Sequence, residues 1–359
     1  MNLPSHGNLN LRYPVLLIHG LFSSSRTWKK TVRVLREDYD LCFGGEARAR
    51  PGDAGPETKP ADFYTWNFSS NRALSYREQA RELTIGIAQI KKINNVTQVV
   101  LVGHSMGGLA ARAVVQLLGA DDVYALITLG TPHYGSPLAL LRASTQGEAR
   151  RLIGKIQKLL GKSERTGEEK PGLLRRIAMK LFRISSEAQT DVDNFFASEA
   201  FIELAPGSAA LEELNRAPLP EGLRYAFITG SLTDFSAFIT PEQRARYARV
   251  RRFFIEMTQK AVRNFADKYL SSSYGAFRDY LSLYFAEGKS LTLEQLIESD
   301  GAVPVVSQIL AHFKNPPQVS AVLPVYASHT RLTKRPAKIF QALAVCGVVG
   351  PRQDQSRTH

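Results

Sequence analysis

The sequence of 359 residues contains only two cysteines, no long apolar run and no recognisable leader. Cys42 and Cys346 are too few for a disulfide framework, so we expect two unpaired thiols. No run of about 18 apolar residues occurs, which argues against a membrane-spanning helix. Residues 1–10 are polar and lack the apolar centre of a signal peptide, so we expect a cytoplasmic protein that can associate with a membrane.

Acidic residues are also scarce, since 33 Asp and Glu stand against 46 Lys and Arg, a net charge of +13. Such an excess indicates an anionic partner: lipid head groups, nucleic acid or an acidic substrate. In 148–183, apolar residues recur at helical spacing among lysines and arginines. These helices are expected either to contact an anionic membrane surface or to pack as a cap on the core. The basic stretches contain few aromatic residues and no nucleic-acid-binding motif, so we expect no nucleic-acid partner.

Short apolar runs that alternate with helical patterns predict an α/β fold with a doubly wound, mostly parallel sheet. A capping-box pattern at Ser75 and Glu78 predicts the start of a helix. Residues 44–70, rich in Gly, Pro, Arg and Asp, are expected to form an irregular loop. Buried strands are expected at 13–18, 99–102, 124–129, 224–230 and 319–327, with a shorter one at 39–43.

The basic stretches interrupt this alternation and divide the chain. We expect an α/β core formed by 11–140, 201–235 and 299–340, a basic helical cap or lid at 141–200, and a second basic helical insertion at 236–298. Long insertions are compatible with one sheet because the entropic cost of a loop grows slowly with its length. The predicted fold is an α/β core with helical cap insertions.

A Gly-His-Ser-Met-Gly turn at 103–107 lies between the apolar run 99–102 and a helix-favouring run. This is the pattern of a nucleophile elbow, in which a tight turn exposes the serine hydroxyl. Gly103 and Gly107 are expected where a Cβ would collide with the crossing strand and helix. Ser105 is therefore the predicted nucleophile, with His104 as a supporting residue of the motif.

A strand that ends in His19-Gly20-Leu21 precedes the elbow in the chain. Backbone N–H groups at such a position form half of an oxyanion hole in hydrolases with an elbow of this kind. We expect the N–H groups of Leu21 and Met106 to be the two donors, with His19 and Gly20 supporting them.

A serine nucleophile needs a base, and the base needs a carboxylate that orients it. His329 follows the last predicted strand and is the favoured base; His133 precedes every candidate acid, and the other histidines lie in motifs, in a helix-like run or at the termini. Asp300, in Asp-Gly-Ala-Val-Pro, is the favoured acid because it begins a tight turn. Asp234 remains the alternative acid, since it lies nearer the end of the strand at 224–230.

Four segments carry a family resemblance: Tyr-Pro-Val-Leu-Leu-Ile-His-Gly-Leu, Val-Gly-His-Ser-Met-Gly-Gly-Leu-Ala-Ala-Arg, Leu-Gly-Thr-Pro-His-Tyr-Gly-Ser and Leu-Ala-Pro-Gly-Ser. They resemble the α/β-hydrolase lipases, in particular bacterial triacylglycerol lipases and hydrolases similar to GPI-inositol deacylase. The resemblance covers 11–137, 201–235 and 299–331. It implies a catalytic triad of Ser105, Asp300 and His329, because these groups share an Asp-Gly-x-Val acid loop that Asp300 matches.

Together these features predict a serine carboxylic-ester hydrolase, a lipase or esterase, that cleaves lipid-like acyl esters through an acyl-enzyme. We expect no metal ion and no cofactor. Two alternatives stay open: an acyltransferase that uses the same triad, and a peripheral membrane-binding protein built on a hydrolase scaffold.

Overall fold

The computed structural model describes residues 9–48, 59–70, 74–118, 121–136, 139, 198–231, 298–300, 302–310 and 319–351. Its main strands are β2 (Val15–Ile18), β3 (Phe43–Arg48), β4 (Phe63–Asn67), β5 (Val99–His104), β6 (Val123–Leu129), β7 (Arg224–Ser231) and β8 (Val319–Tyr326). Within these ranges they form one parallel sheet in the order β3-β4-β2-β5-β6-β7-β8. The predicted doubly wound parallel sheet is confirmed.

The central strands form because they are apolar on both faces, as buried parallel strands require. Every residue of β2, β5 and β6 is buried. Leu16 of β2 packs into the core on one face of the sheet, whereas Leu17 packs into the core on the other.

Helices cover both faces of this sheet. They are α1 (Lys29–Glu37), α2 (Tyr76–Asn94), α3 (Met106–Leu118), α4 (Glu199–Glu203), α5 (Ala209–Arg216) and α6 (Pro336–Val345). α2, α3 and α5 contribute to one core, and α1 and α6 to the other. α2 begins at the predicted capping box, in which Ser75 and Glu78 satisfy each other's backbone N–H groups.

The prediction of an irregular loop at 44–70 is wrong for parts of that range. β3 begins at Phe43 rather than spanning 39–43, and β4 lies at Phe63–Asn67. Gly44 permits the pairing, because a Cβ there would overlap the ring of Tyr64. β3 is the sheet edge and is mostly half-buried, so it lacks the apolar run by which the central strands β2, β5 and β6 were recognised.

The chain continues beyond residue 340, where the expected core ended. α6 extends to Val345, and a short strand β9 (Val349–Pro351) pairs antiparallel with β1 (Leu9–Leu11). Among the described helices, none is long and apolar enough to cross a membrane.

Candidate active site

Ser105 occupies the turn between β5 and α3 with a φ of 55°. This left-handed conformation is unusual for a residue with a Cβ and is typical of a nucleophile elbow. The two glycines around it are sterically required. A Cβ on Gly103 would lie 2.6 Å from the Cα of Gly108, and one on Gly107 would overlap the carbonyl of His19.

Ser105, His329 and Asp300 lie in one hydrogen-bonded chain. His329 Nε2 is 2.8 Å from Ser105 Oγ, and His329 Nδ1 is 2.7 Å from Asp300 Oδ2. A carboxylate oxygen only accepts, so Nδ1 must donate to Asp300, and in that tautomer of the imidazole Nε2 is left to accept from the serine hydroxyl. This arrangement allows His329 to remove the Ser105 proton during an attack on a carbonyl carbon.

The carboxylate of Asp300 is fully buried and held by the turn that it begins. Its Oδ1 accepts the N–H groups of Ala302 at 2.9 Å and Val303 at 2.8 Å. Its backbone C=O accepts the N–H of His329 at 2.9 Å. The acid therefore positions the backbone of the base as well as its ring.

His19 and His104 flank this chain as neutral, buried rings. His104 Nε2 donates to the backbone O of His329 at 3.0 Å, and burial, helped by nearby His329, lowers the pKa of His104 to about 3. Burial lowers the pKa of His19 to about 4. Neither ring carries a positive charge at neutral pH that would oppose protonation of His329.

The residues predicted to bind an oxyanion lie beside the serine. A Cβ on Gly20 would be 2.7 Å from Ser105 Cβ, so the chain passes the nucleophile just before Leu21. Met106 is the first residue of α3, and the first N–H groups of a helix have no intrahelical acceptor. The partial positive charge of the helix N-terminus also favours an anion at this position.

His133 is buried and bonded to residues outside this hydrogen-bonded chain. Its Nε2 contacts Thr128 Oγ1 at 3.2 Å, and its backbone O accepts from Asn215 at 3.1 Å. Burial, together with the charge of Arg112, lowers the pKa of His133 well below its ordinary value. The contacts of His133 are those of a buried structural histidine.

Three residues that hold the acid in place were not predicted from the sequence. A Cβ on Gly130, where φ is 56°, would lie 2.8 Å from Asp300 Oδ2, and one on Gly230 would lie 2.7 Å from Asp300 Cβ. Gln308 accepts from the N–H of Gly230 at 2.7 Å and donates to the backbone O of Val303 at 2.8 Å. The glycines were detectable in principle, because each lies at or next to the end of a buried strand, whereas Gln308 carried no signal.

Asp234, the alternative acid, lies outside the described residues, as do nearly all of 141–200 and 236–298. The interpretations of these ranges as cap insertions, and of 148–183 as a membrane contact, therefore stay predictions. Within the described ranges, no group of three or more His, Cys, Asp or Glu side chains could hold a metal ion.

Comparisons with known proteins agree with this fold. Residues 11–161 match the family described as PGAP1-like alpha/beta domain. GPI inositol-deacylase of Cryptococcus neoformans is 38% identical over 141 residues, which are 36% of this chain and 18% of that protein. Triacylglycerol lipase of Pseudarthrobacter phenanthrenivorans is 30% identical over 129 residues, which are 36% of this chain and 35% of that protein.

Among solved structures, the propeptide form of a Bacillus licheniformis lipase aligns with a TM-score of 0.50 at 15% identity, over 96% of this chain and 52% of that one. The chain thus spans roughly a fifth to a third of the length of these two curated relatives. It has the α/β-hydrolase fold and is similar to lipase- and esterase-type hydrolases.

Proposed function

We propose that the protein is a serine carboxylic-ester hydrolase in which Ser105 is the nucleophile, His329 the general base and acid, and Asp300 the residue that orients His329. The observation that supports this proposal is the continuous hydrogen-bonded chain from Ser105 Oγ through His329 to Asp300, with contacts of 2.8 and 2.7 Å. Few other roles would require a serine in a strained turn to face an imidazole that is held by a buried carboxylate.

In the proposed mechanism, His329 Nε2 takes the proton of Ser105 as Oγ attacks the ester carbonyl. The carbonyl oxygen becomes an oxyanion that accepts hydrogen bonds from the N–H groups of Leu21 and Met106. His329 then gives its proton to the leaving alcohol, and an acyl-enzyme remains. A water molecule, deprotonated by His329, attacks this acyl-enzyme and releases the carboxylic acid and free Ser105.

The proposed substrates are acyl esters of lipid type. Two observations favour this class: the similar proteins include a triacylglycerol lipase and a GPI inositol-deacylase, and the chain has a net charge of +13. Positive charge attracts the anionic surfaces on which many lipid esters are found. We propose that 141–200 and 236–298 cap the acyl-binding site, and that 148–183 contacts such surfaces.

Hydrolysis of nitrophenyl esters of increasing acyl length, offered in solution and in micelles, tests this function. Ser105→Ala should lower kcat by at least about 10⁴-fold, because the nucleophile is absent while binding remains. A rate that rises for long chains and at the micelle surface indicates a lipase, and a preference for short soluble esters indicates an esterase.

Ser69→Ala is the matched control, since Ser69 Oγ donates to Glu82 at the protein surface and the same atom is removed there. It should hydrolyse these esters at the wild-type rate. Ester hydrolysis that survives Ser105→Ala unchanged would refute the proposed function.

A further inference from the structure

The peptide between Gly20 and Leu21 is held by its carbonyl group. The O of Gly20 accepts a hydrogen bond from His19 Nδ1 at 2.9 Å and one from the N–H of Ser23 at 3.3 Å. In a trans peptide the C=O and the following N–H point in opposite directions. Bonds that hold the Gly20 carbonyl therefore also orient the N–H of Leu21, which is the proposed oxyanion donor.

This segment, residues 20–25, is strained. Phe22 has a φ of 53°, a left-handed conformation that costs energy in a residue with a Cβ. A strained turn keeps its conformation only when surrounding contacts determine it.

Ser25, at the end of the segment, is bound by side chains from two neighbouring strands. The N–H of Ser25 donates to Asn67 Oδ1 at 2.7 Å, and Asn67 Nδ2 donates to Ser25 Oγ at 3.2 Å. Ser25 Oγ in turn donates to the carboxylate of Glu46. Asn67 ends β4 and Glu46 lies in β3, so both partners are mounted on the sheet.

Glu46 is suited to accept from Ser25 because its carboxylate is ionised and paired with a cation. Its Oε1 accepts from Arg48 Nε at 2.7 Å, so the carboxylate is paired. Burial raises the pKa of Glu46, but hydrogen bonds from Ser25, Arg48 and Asn67 outweigh it and lower the pKa below its ordinary value. Glu46 is therefore ionised at neutral pH and remains a strong acceptor.

The turn that follows Ser25 also contacts the element that carries the base. Thr27 Oγ1 lies 3.1 Å from Thr333 Oγ1, and Thr31 Oγ1 donates to the O of Thr333 at 2.6 Å. Thr333 belongs to the short 3-10 helix that begins at His329. The chain from segment 20–25 into α1 is thus anchored to the sheet edge at Ser25 and to the turn of the proposed base at Thr27 and Thr31.

We propose that Asn67 and Glu46 are positioning residues of the oxyanion site. Through Ser25 they hold segment 20–25 in its strained conformation and thereby aim the N–H of Leu21 at the oxyanion. This inference rests on the proposed function. Because neither side chain contacts the reacting atoms, they act on the transition state through the position of the Leu21 N–H.

The test compares Asn67→Ala with the wild type on a short-chain nitrophenyl ester, with active enzyme counted by active-site titration. Per active site, kcat should fall about ten- to hundredfold, because displacement of a donor by a fraction of an ångström to 1 Å weakens transition-state binding. KM should stay within about twofold. A trifluoromethyl ketone, which forms a tetrahedral oxyanion adduct with a serine, should bind more weakly by a similar factor.

Asn94→Ala is the matched control, because Asn94 Oδ1 accepts the N–H of Ala61 at 2.8 Å at the opposite end of β4. It loses the same kind of bond and should keep the wild-type kcat and ketone affinity. Glu46→Gln, which retains an acceptor for Ser25, should be more active than Glu46→Ala.

Wild-type kcat and ketone affinity per active site in Asn67→Ala would overturn the inference. Should that variant not fold, Ser25→Ala and the two Glu46 variants decide by the same readouts. Failure of the proposed function is distinguishable, because it would appear as undiminished hydrolysis by Ser105→Ala, whatever the result for Asn67.

Discussion

Substitution of Asp300 by asparagine should move the proton of the His329 ring from Nδ1 to Nε2 while leaving the fold intact. Oδ1 of Asp300 accepts two backbone N–H groups, from Ala302 and Val303, whereas Oδ2 faces His329 Nδ1. In Asp300→Asn the amide oxygen must take the Oδ1 position, because an NH2 group there would face two donors. The NH2 group then points at Nδ1 of His329 and requires that nitrogen to accept.

A proton moved from Nδ1 to Nε2 leaves His329 unable to accept from Ser105 Oγ, 2.8 Å away. In other enzymes with such a triad, the same exchange lowers kcat by about 10⁴, which corresponds to about 5.4 kcal/mol of transition-state stabilisation. The free energy of unfolding should change by less than about 1 kcal/mol, since the amide oxygen still accepts both N–H groups. Asp300→Ala, by contrast, leaves both without their acceptor and should cost roughly 1–3 kcal/mol for each.

The assay measures kcat on a nitrophenyl ester near neutral pH and the free energy of unfolding in urea for the same variants. Asp122→Asn is the control, because Asp122 pairs with Lys91 at a partly exposed position away from Ser105. Asp234→Asn tests the alternative acid of the sequence analysis. If Asp300→Asn keeps more than about a tenth of wild-type kcat, or if Asp234→Asn loses most of it, Asp300 is not the residue that orients His329.

Two further predictions concern the surroundings of the site. Gly130→Ala should cost roughly 1–3 kcal/mol of stability and at least about tenfold in kcat, because its Cβ would lie 2.8 Å from Asp300 Oδ2. Gly222 also has a positive φ, but no atom lies within 4 Å of a Cβ placed there, so Gly222→Ala should lose stability in urea unfolding and keep its kcat. Equal losses of kcat in Gly130→Ala and Gly222→Ala would contradict a role for the contact between position 130 and Asp300. Burial lowers the pKa of His19 from 6.5 to about 4 and that of His104 from 6.5 to about 3. Below pH 6.5 the unfolded chain therefore binds more protons than the folded protein, and the stability that is present above pH 6.5 is lost as the pH falls. Each ring should contribute a slope of about 1.2 kcal/mol per pH unit between pH 6 and 5, because the unfolded chain there binds about 0.9 proton more per ring. An unchanged slope in His104→Gln would refute the contribution of His104.

The fold was largely predictable because its signals are local. Continuous apolar runs identified β2, β5 and β6, and the capping box located the start of α2. β4 was missed although Phe63–Asn67 is rich in residues that favour strands, because it lies within a range dominated by Gly, Pro and charged residues. The polar and charged composition of this range is therefore the reason why β4 and most of β3 were not predicted.

The candidate site was predictable to the extent that chain order determines it. The sequence shows directly that the elbow serine comes first in the chain, then the acid and then the histidine. This order predicted Ser105, Asp300 and His329, which the structure brings within hydrogen-bonding distance. Their catalytic roles stay predictions, as do those of Leu21 and Met106. The choice between Asp300 and Asp234 could not be made from spacing alone, because loop length does not determine which side chain reaches a distant histidine.

By itself, the sequence determined the alternation of strands and helices, the tight turn at Ser105 and the excess of positive charge, because each depends on neighbouring residues or on composition. Only the tertiary structure decided which carboxylate meets His329, which ring nitrogen carries its proton, and that Asn67 and Glu46 hold Ser25. Ser25 is 21 positions from Glu46 and 42 from Asn67, and Asp300 is 29 positions from His329. The sheet brings such residues together at the carboxyl ends of its strands, and no local pattern encodes which of them touch.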